Sequence, residues 1–164
     1  MNRIVLISLA ALALSAPAFA GTDSSNMTVS ATVSDTCTIS AGALAFGAYD
    51  PVAGTAVDGT ATLSVACTEG STSAITLDQG ANADAGSTDA APLRQMASGS
   101  DLLGYSLYQD ASHTTVWGNT SGTGVEYVAP DSSASSITVY GQVDAGQSVP
   151  SGSYTDTVIA LVTF

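Results

Sequence analysis

The sequence predicts an all-β protein, a β-sandwich of roughly seven to nine short strands. Turn-forming residues recur about every ten positions, and no window keeps a helical period. Glycine, serine, threonine and alanine dominate the 164 residues, and the apolar residues often alternate with polar ones. Such alternation is typical of strands that bury one face.

Residues 1–20 have the pattern of a secretory signal peptide. Asn2-Arg3 is a short basic region, residues 4–14 are apolar, and Ala18-Phe19-Ala20 is a small-x-small cleavage site. The apolar run is too short to span a membrane as a helix. We expect cleavage after Ala20, export to the periplasm, and no membrane insertion of residues 21–164.

The expected mature chain is strongly acidic. Of the two basic side chains in the sequence only Arg94 remains in residues 21–164, against all fourteen acidic ones, so the net charge is −13. Such a surface repels phosphate backbones and anionic lipid. We therefore expect no nucleic-acid partner.

The first predicted strand lies in an N-terminal extension, residues 21–36, ahead of a domain body at residues 37–164. The extension begins with a small polar lead, residues 21–26, that has no reason to fold. Apolar and polar residues then alternate, and residues 25–33 would span roughly 30 Å as a strand. One face carries Met27, Val29, Ala31 and Val33, and the other carries Thr28, Ser30, Thr32 and Ser34.

Cys37 and Cys67 are the two cysteines of the chain. In an exported protein an even cysteine count favours a disulfide. Closing a loop of about thirty residues would stabilise the fold by roughly 3–4 kcal/mol. A metal site is a poor alternative, because two thiols and the distant His113 do not form a tetrahedral set.

The body continues with alternating strands. In residues 60–67 one face carries Ala61, Leu63, Val65 and Cys67, which directs Cys67 into the core. The other strands expected before the end of the chain are residues 73–77, 93–96, 102–108, 115–118, 126–128 and 136–143. Trp117, the sole tryptophan, is the best single core anchor.

The last predicted strand, residues 153–164, is apolar at every position from 158 to 162. We expect both of its faces to be buried and the strand to lie inside a sheet. No later segment follows to pair with it. The N-terminal strand could supply the neighbour, either from a second molecule in head-to-tail assembly or from the same molecule in a closed sandwich.

Catalytic and metal-binding patterns are weak. The sequence has no G-x-S-x-G motif, and we expect His113 to be an exposed residue at a hairpin tip and not a general base. Asp78, Asn82, Asp84 and Asp89 cluster in one loop, but their spacing matches neither common calcium-binding pattern. We expect a solvated acidic loop, no cofactor or metal, and no enzymatic activity.

The chain resembles the spore coat protein U domain, the domain of subunits in archaic, Csu-type chaperone–usher pili. The resemblance rests on an ordered set of motifs around one cysteine pair. After the alternating strand these motifs are Phe46-Gly47, Tyr49-Asp50-Pro51, Val65-Ala66-Cys67, Leu93-Arg94-Gln95-Met96, Leu103-Gly104-Tyr105-Ser106-Leu107-Tyr108-Gln109-Asp110, Trp117-Gly118, Gly152-Ser153-Tyr154-Thr155-Asp156-Thr157-Val158 and Phe164.

The resemblance implies an incomplete immunoglobulin-like sandwich that lacks its final strand. A periplasmic chaperone would fill the open groove first, and the N-terminal strand of the next subunit would replace it after passage through an outer-membrane usher. Met27, Val29, Ala31 and Val33 would enter the neighbour's groove; Val158, Ala160, Val162 and Phe164 would line it. The implied product is an extracellular pilus that serves surface attachment and biofilm formation, with this chain as a shaft subunit.

Two other functions use the same domain. The chain could be a secreted spore-coat or matrix protein whose N-terminal strand pairs within its own molecule. It could also be a carbohydrate-binding adhesin module, in which exposed aromatic rings stack on sugars. The candidate rings are Tyr49, Tyr108, Tyr127 and Trp117.

Overall fold

A computed structural model describes residues 19–164. The predicted signal peptide lies outside the described residues except for its last two positions. The chain divides into two units, Met1–Thr32 and Val33–Phe164. In the first unit, residues 19–32 have no strand assignment and their side chains are exposed.

The second unit contains eight strands and confirms the all-β prediction. In chain order they are β1 (Cys37–Ala41), β2 (Val57–Cys67), β3 (Thr72–Leu77), β4 (Arg94–Ser98), β5 (Asp101–Tyr108), β6 (Val125–Val128), β7 (Ser135–Val143) and β8 (Ala160–Thr163). Within residues 19–164, no helix is long and apolar enough to cross a membrane.

The strands form two sheets that pack as a sandwich. The larger sheet has the order β1-β2-β7-β5-β4 and the smaller one β6-β3-β8, and every strand pairs with its neighbours in the antiparallel sense. Antiparallel sheets bury one face and leave the other to solvent, which explains the alternation in the sequence. Strands β1 and β8 therefore each lie at the edge of a sheet.

The core lies between the inner faces of the two sheets. Trp117, Val65 and Val143 are fully buried and Cys67 is 3% exposed, so the predictions for Trp117 and Cys67 are confirmed. The other buried apolar residues are Leu63, Ile75, Leu77, Leu103, Tyr105, Leu107, Ala129 and Val139. Residues from both sheets contribute, as close packing of a sandwich requires.

The prediction that residues 158–162 are buried on both faces is wrong for this chain. Ile159 and Leu161 are 63% and 52% exposed, whereas Val158, Ala160 and Val162 pack against the core. The physical reason is that β8 pairs only with β3 and has no layer over its outer face. Apolar character alone did not distinguish a central strand from an edge strand.

The predicted strand at residues 115–118 is also absent. Val116 forms a single bridge to Tyr108. The chain then crosses between the sheets: the Trp117 amide donates to the Leu107 carbonyl, and the Gly118 carbonyl accepts from the Leu77 amide. This crossing buries Trp117 without a strand.

Candidate functional site

An open groove lies where the two sheets end side by side. Among the strands of residues 19–164, β1 pairs only with β2, and β8 pairs only with β3. The two edge strands are neighbours in space, yet they do not pair with each other. Each therefore presents an unpaired strand edge toward the space between them, which is a template for another strand.

The groove contains an apolar cavity of about 520 Å³. Residues 41–46, which continue from β1, form one wall, and residues 154–160, which lead into β8, form the other. The floor consists of core side chains, namely Ala61, Leu63, Leu77, Met96, Tyr105, Leu107 and Val139. An apolar, open cavity of this shape accommodates apolar side chains of another segment.

A second cavity of about 800 Å³ adjoins the first. The two share Leu44, Phe46, Met96 and Tyr154 in their linings. From there the second cavity extends to the loops at residues 44–51 and 149–154. Together the cavities form a long trough, which suits an extended chain better than a compact ligand.

A pair of facing glycines sets the depth of the groove. Gly59 of β2 lies opposite Gly141 of β7, on the inner face of the larger sheet. A Cβ on Gly141 would meet side-chain atoms of Leu44 at 2.9 Å and Phe46 at 3.0 Å. These two side chains consequently sit low over the sheet, where Phe46 also packs edge-on against Tyr105, with 5.8 Å between ring centroids.

The wall at residues 154–160 is held by hydrogen bonds. Thr155 exchanges two backbone hydrogen bonds with Ala97 of β4, of 2.9 and 3.1 Å. The Ile159 amide donates to the Asp78 carboxylate at 2.9 Å, and the Ile159 carbonyl accepts from the Asp78 amide at 3.0 Å. These hydrogen bonds hold the backbone at Thr155 and Ile159 against the domain. The side chains of Val158 and Ala160 line the cavity.

Asp156 fixes the middle of this wall. Its Oδ2 accepts a hydrogen bond from the Tyr105 hydroxyl at 2.7 Å, and its Oδ1 accepts from the Ala81 amide and the Asn82 side chain, each at 3.0 Å. Burial raises the pKa of Tyr105 above its ordinary value, and the hydrogen bond to Asp156 raises it further. Tyr105 therefore stays a neutral donor over the ordinary pH range.

Arg94 lies behind the same wall and is 1% exposed. Its Nε donates to the Asp78 carbonyl at 2.8 Å, and its Nη2 donates to the carbonyls of Leu77 at 2.9 Å and Trp117 at 2.8 Å. Burial lowers the pKa of Arg94, and the nearby ionisable groups of Tyr105, Asp78 and Asp156 oppose that shift. The buried guanidinium thus ties the end of β3 to the Trp117 crossing.

Cys37 and Cys67 form a disulfide, with an S–S distance of 1.99 Å. They are direct partners in the register of β1 and β2. The bond fastens the edge strand β1 to its single strand neighbour. It therefore stabilises an edge strand at the groove.

The predicted groove residues take different positions. Val158 and Ala160 line the first cavity. Val162 is half-buried against the core, and Phe164 is 56% exposed. The structure thus places the side chains of Val158, Ala160 and Val162 on the inner face of the strand. The sequence alone could not decide which of the two faces this would be.

The predicted donor residues are exposed. Met27, Val29 and Val33 are 85%, 81% and 83% exposed, and Ala31 is exposed as well. Leaving such side chains in water forgoes the free energy of their burial. Their role in a neighbour's groove remains a prediction from the alternating pattern.

Sequence reasoning missed the floor and the polar wall of the groove. The sequence singles out Phe46, Tyr105 and Asp156 only as members of motifs, and it does not single out Leu44. One available signal was Gly59 and Gly141, because a glycine on the inner face of an alternating strand marks a close approach by another segment. Their pairing across β2 and β7 required the sheet register.

The aromatic residues proposed for sugar stacking are largely engaged. Trp117 is fully buried and its Nε1 donates to the Ile75 carbonyl at 2.9 Å. The Tyr127 hydroxyl donates to Ser135 at 2.8 Å, and the Tyr49 hydroxyl donates to the Asp144 carbonyl at 3.1 Å. Tyr108 packs against His113 at a centroid distance of 5.0 Å. The side chains of Tyr49, Tyr108 and Tyr127 are half-buried, so none of the four is a fully exposed ring.

His113 lies in a turn, at φ 54°, as the sequence indicated. Asp110 closes this turn by accepting hydrogen bonds from the amides of Thr114 and Thr115, at 3.2 and 2.8 Å. Partial desolvation acts to raise the pKa of Asp110, but these hydrogen bonds lower it below its ordinary value. Asp110 therefore stabilises the turn.

The acidic loop uses its carboxylates for local hydrogen bonds. Asp84 accepts from the Gly86 amide at 2.9 Å, and Asp89 accepts from Gln79 at 3.0 Å and Asn119 at 3.2 Å. Among residues 19–164, no group of three or more His, Cys, Asp or Glu side chains is placed to hold a metal ion.

The sandwich and its groove agree with the family comparison. The chain belongs to the spore coat protein U domain family, whose sequence model matches residues 23–161. It is 46% identical to Protein U of Myxococcus xanthus over an alignment of 166 positions, which covers 94% of this chain and 92% of that protein. The resemblance seen in the sequence motifs is thereby confirmed.

A solved structure supports the fold. The chain is similar to a chain in the crystal structure of a chaperone–tip adhesion subunit pre-assembly complex from archaic chaperone–usher Csu pili of Acinetobacter baumannii. The TM-score is 0.59 at 19% identity, with 81% of this chain covered. The match spans 40% of the length of that chain, so the likeness is to one part of it.

Proposed function

We propose that this protein is a structural subunit of an extracellular chaperone–usher-type fibre and polymerises head to tail by donor-strand complementation. The open apolar groove between β1 and β8 carries the proposal. A segment with the matching pattern, residues 27–33, is exposed in the same chain. Each molecule would place this segment in the groove of the next.

The groove and the segment are complementary in shape and chemistry. As a strand, residues 27–33 would extend roughly 23 Å and direct every second side chain to the same face. That face is apolar, and in the groove it would meet the side chains of Val158 and Ala160 and the apolar floor. The opposite face carries hydroxyl residues, which would remain in water.

Docking would bury the apolar face of the donor segment. Burying Met27, Val29 and Val33, with Ala31, would contribute roughly 5–8 kcal/mol. Hydrogen bonds from the donor backbone to the unpaired edges of the groove would add to this and set the register.

The same open edge makes a free subunit prone to aggregation. A periplasmic chaperone that covers the groove before assembly would prevent this, and the similar Csu chain was crystallised in a complex with a chaperone. We extend the proposal to an outer-membrane usher and to a surface location. Attachment and biofilm formation are roles that such a fibre would serve, and the chain itself would act without catalysis.

The test compares two adjacent substitutions on opposite faces of the donor segment. Val29→Asp places a carboxylate on the face that would enter the groove, whereas Ser30→Asp places the same charge on the hydroxyl face. Burying an unpaired carboxylate costs several kcal/mol. We expect wild type and S30D to give a ladder of multimers in unboiled denaturing gels, and V29D to give monomer only.

A V29D ladder equal to that of wild type would contradict the proposal. The family description also names spore coats, which favours a second candidate: a coat-type structural protein closed on itself. Deleting residues 22–33 separates the two functions. A fibre subunit would lose polymerisation and remain bound to its chaperone, whereas a self-closed coat protein would be monomeric before the deletion and destabilised by it.

A further inference from the structure

The chain is held to the domain body at the point where the proposed donor strand leaves it. Thr68, just after β2, accepts a hydrogen bond at Oγ1 from the Thr36 amide at 3.1 Å and donates one from Oγ1 to the Ser34 carbonyl at 3.3 Å. The Thr68 amide also donates to the Thr36 carbonyl at 2.9 Å. Residues 34–36 are therefore bonded to the domain body, although they precede its first strand, β1.

A second contact holds the residue between them. The Ser71 hydroxyl donates to Asp35 Oδ1 at 3.0 Å. Ser71 is 5% exposed, so the surrounding fold holds its side chain in place. We call Ser34, Asp35 and Thr36, with Thr68 and Ser71, the exit clamp.

The turn that forms the clamp is itself fixed. The Gly70 amide donates to the Ala129 carbonyl at 2.9 Å, and the Ala129 amide donates to the Ser71 carbonyl at 3.0 Å. Ala129 is 2% exposed. The Cys37–Cys67 disulfide begins one residue beyond the clamp on both chain segments. The clamp thus rests on the core and on a covalent bond.

We propose that the exit clamp sets the direction in which the donor strand leaves each subunit and forms part of the contact surface between consecutive copies of this chain. The inference rests on the proposed head-to-tail assembly. Val33 would lie in the neighbour's groove, while Ser34 is already bonded to Thr68 of its own body. Adjacent residues are about 3.8 Å apart along the chain.

This spacing leaves no flexible linker between the two bodies. The groove rim of one copy must therefore abut the turn at residues 68–71 of the other. The fibre would bend little at this junction, because bending would break the hydrogen bonds of the clamp. Thr68 is a positioning residue in this scheme, since it acts on the donor strand through Ser34 and Thr36.

The first measurement uses the full chain before assembly. Thr68→Val keeps the side-chain shape and the backbone bond but removes both Oγ1 hydrogen bonds, whereas Thr68→Ser keeps the hydroxyl. We expect hydrogen exchange of the Thr36 amide to be on the order of tenfold faster in T68V than in wild type or T68S. A Thr36 amide that exchanges as fast in wild type as the amides of residues 22–32 would overturn the clamp.

The second measurement uses assembled fibres in electron micrographs. We expect T68V fibres of normal abundance but with a persistence length about half that of wild type or less, and T68S fibres like wild type. Inserting two glycines between Val33 and Ser34 should also soften the fibre while the donor strand stays intact. Unchanged stiffness in both T68V and the insertion variant would overturn the inference.

The two levels of the proposal fail separately. A wild-type chain that never forms multimers would contradict donor-strand assembly, while the exchange measurement on the unassembled chain would still report on the clamp. Normal fibre formation, together with a Thr36 amide that is equally protected in wild type, T68S and T68V, would contradict the clamp alone.

Discussion

The two outer edges of the five-stranded sheet differ in how the chain finishes them. At the β4 edge, Ala97 and Thr155 exchange two backbone hydrogen bonds, and Arg94 is buried with three carbonyl partners. At the β1 edge the strand ends beside an apolar cavity, and no strand of residues 19–164 pairs outside it. One edge is completed by its own chain and the other is left open.

The open edges also lack the usual protection against pairing. Charged residues, prolines and bulges commonly guard exposed edges. Strand β1 has the sequence CTISA and β8 the sequence ALVT, with neither a charge nor a proline. One guarded and one unguarded edge on the same sheet support the proposal that a second chain docks at the unguarded edge.

We expect the largest effect, a loss of multimers, from a charge placed at the open edge. Ala160→Asp directs a carboxylate into the cavity, and Ile159→Asp directs one to the exposed outer face. Because a docked strand would bury the first charge without a partner, we expect A160D to abolish the multimer ladder. I159D should polymerise like wild type.

Trp117 fluorescence checks that both variants fold, since this side chain is fully buried. If A160D folds and still forms multimers at the wild-type level, the groove beside Ala160 is not where the donor strand binds.

We expect an intermediate effect, a loss of stability, from a substitution under the groove. Gly141→Ala would push Leu44 and Phe46 toward the cavity, because its Cβ would lie 2.9–3.0 Å from their side chains. We expect a loss of about 1–3 kcal/mol in the free energy of unfolding, measured with denaturant, and slower multimer formation.

Gly122→Ala is the matched control, since no atom lies within 4 Å of its added Cβ. Equal stability of G141A and G122A would show that Leu44 and Phe46 move away without cost. The glycine pair would then have no role in the depth of the groove.

A last effect, expected on stability and not on multimer formation, concerns the polar wall at residues 154–160. Because burial and Asp156 raise the pKa of Tyr105 in the folded state, unfolded protein releases this proton first as pH rises. The contribution of Tyr105 to stability is therefore complete below about pH 10 and declines above it. Unfolding by denaturant at pH 8–11 measures this slope.

Tyr105→Phe should lower stability at pH 8 by roughly 1–3 kcal/mol through the lost hydrogen bond to Asp156. Above pH 10 its stability should fall less steeply than that of wild type. Tyr140→Phe, on the outer face of β7, is the control for tyrosine ionisation in general. Parallel slopes for Y105F and wild type would contradict the buried, bonded state of Tyr105.

Much of the fold followed from local pattern. Alternation placed Leu63, Val65 and Cys67 on the inner face of β2, where the structure has them, and an even cysteine count in an exported chain predicted the Cys37–Cys67 pair. These succeed because side-chain direction in a strand depends on sequence position alone. The strand at residues 115–118 failed because its backbone bonds go to two different sheets.

By itself, the sequence determined the sandwich class, the disulfide, the single tryptophan anchor and the regular segment at residues 27–33, since each depends on residue type and spacing. The tertiary structure alone decided that β8 is an edge strand, that Gly59 faces Gly141, and that Asp156 and Arg94 secure the groove wall. Those features require knowing which strands are neighbours. Neighbours far apart in the chain are chosen by packing of the whole core, which no local window of residues contains.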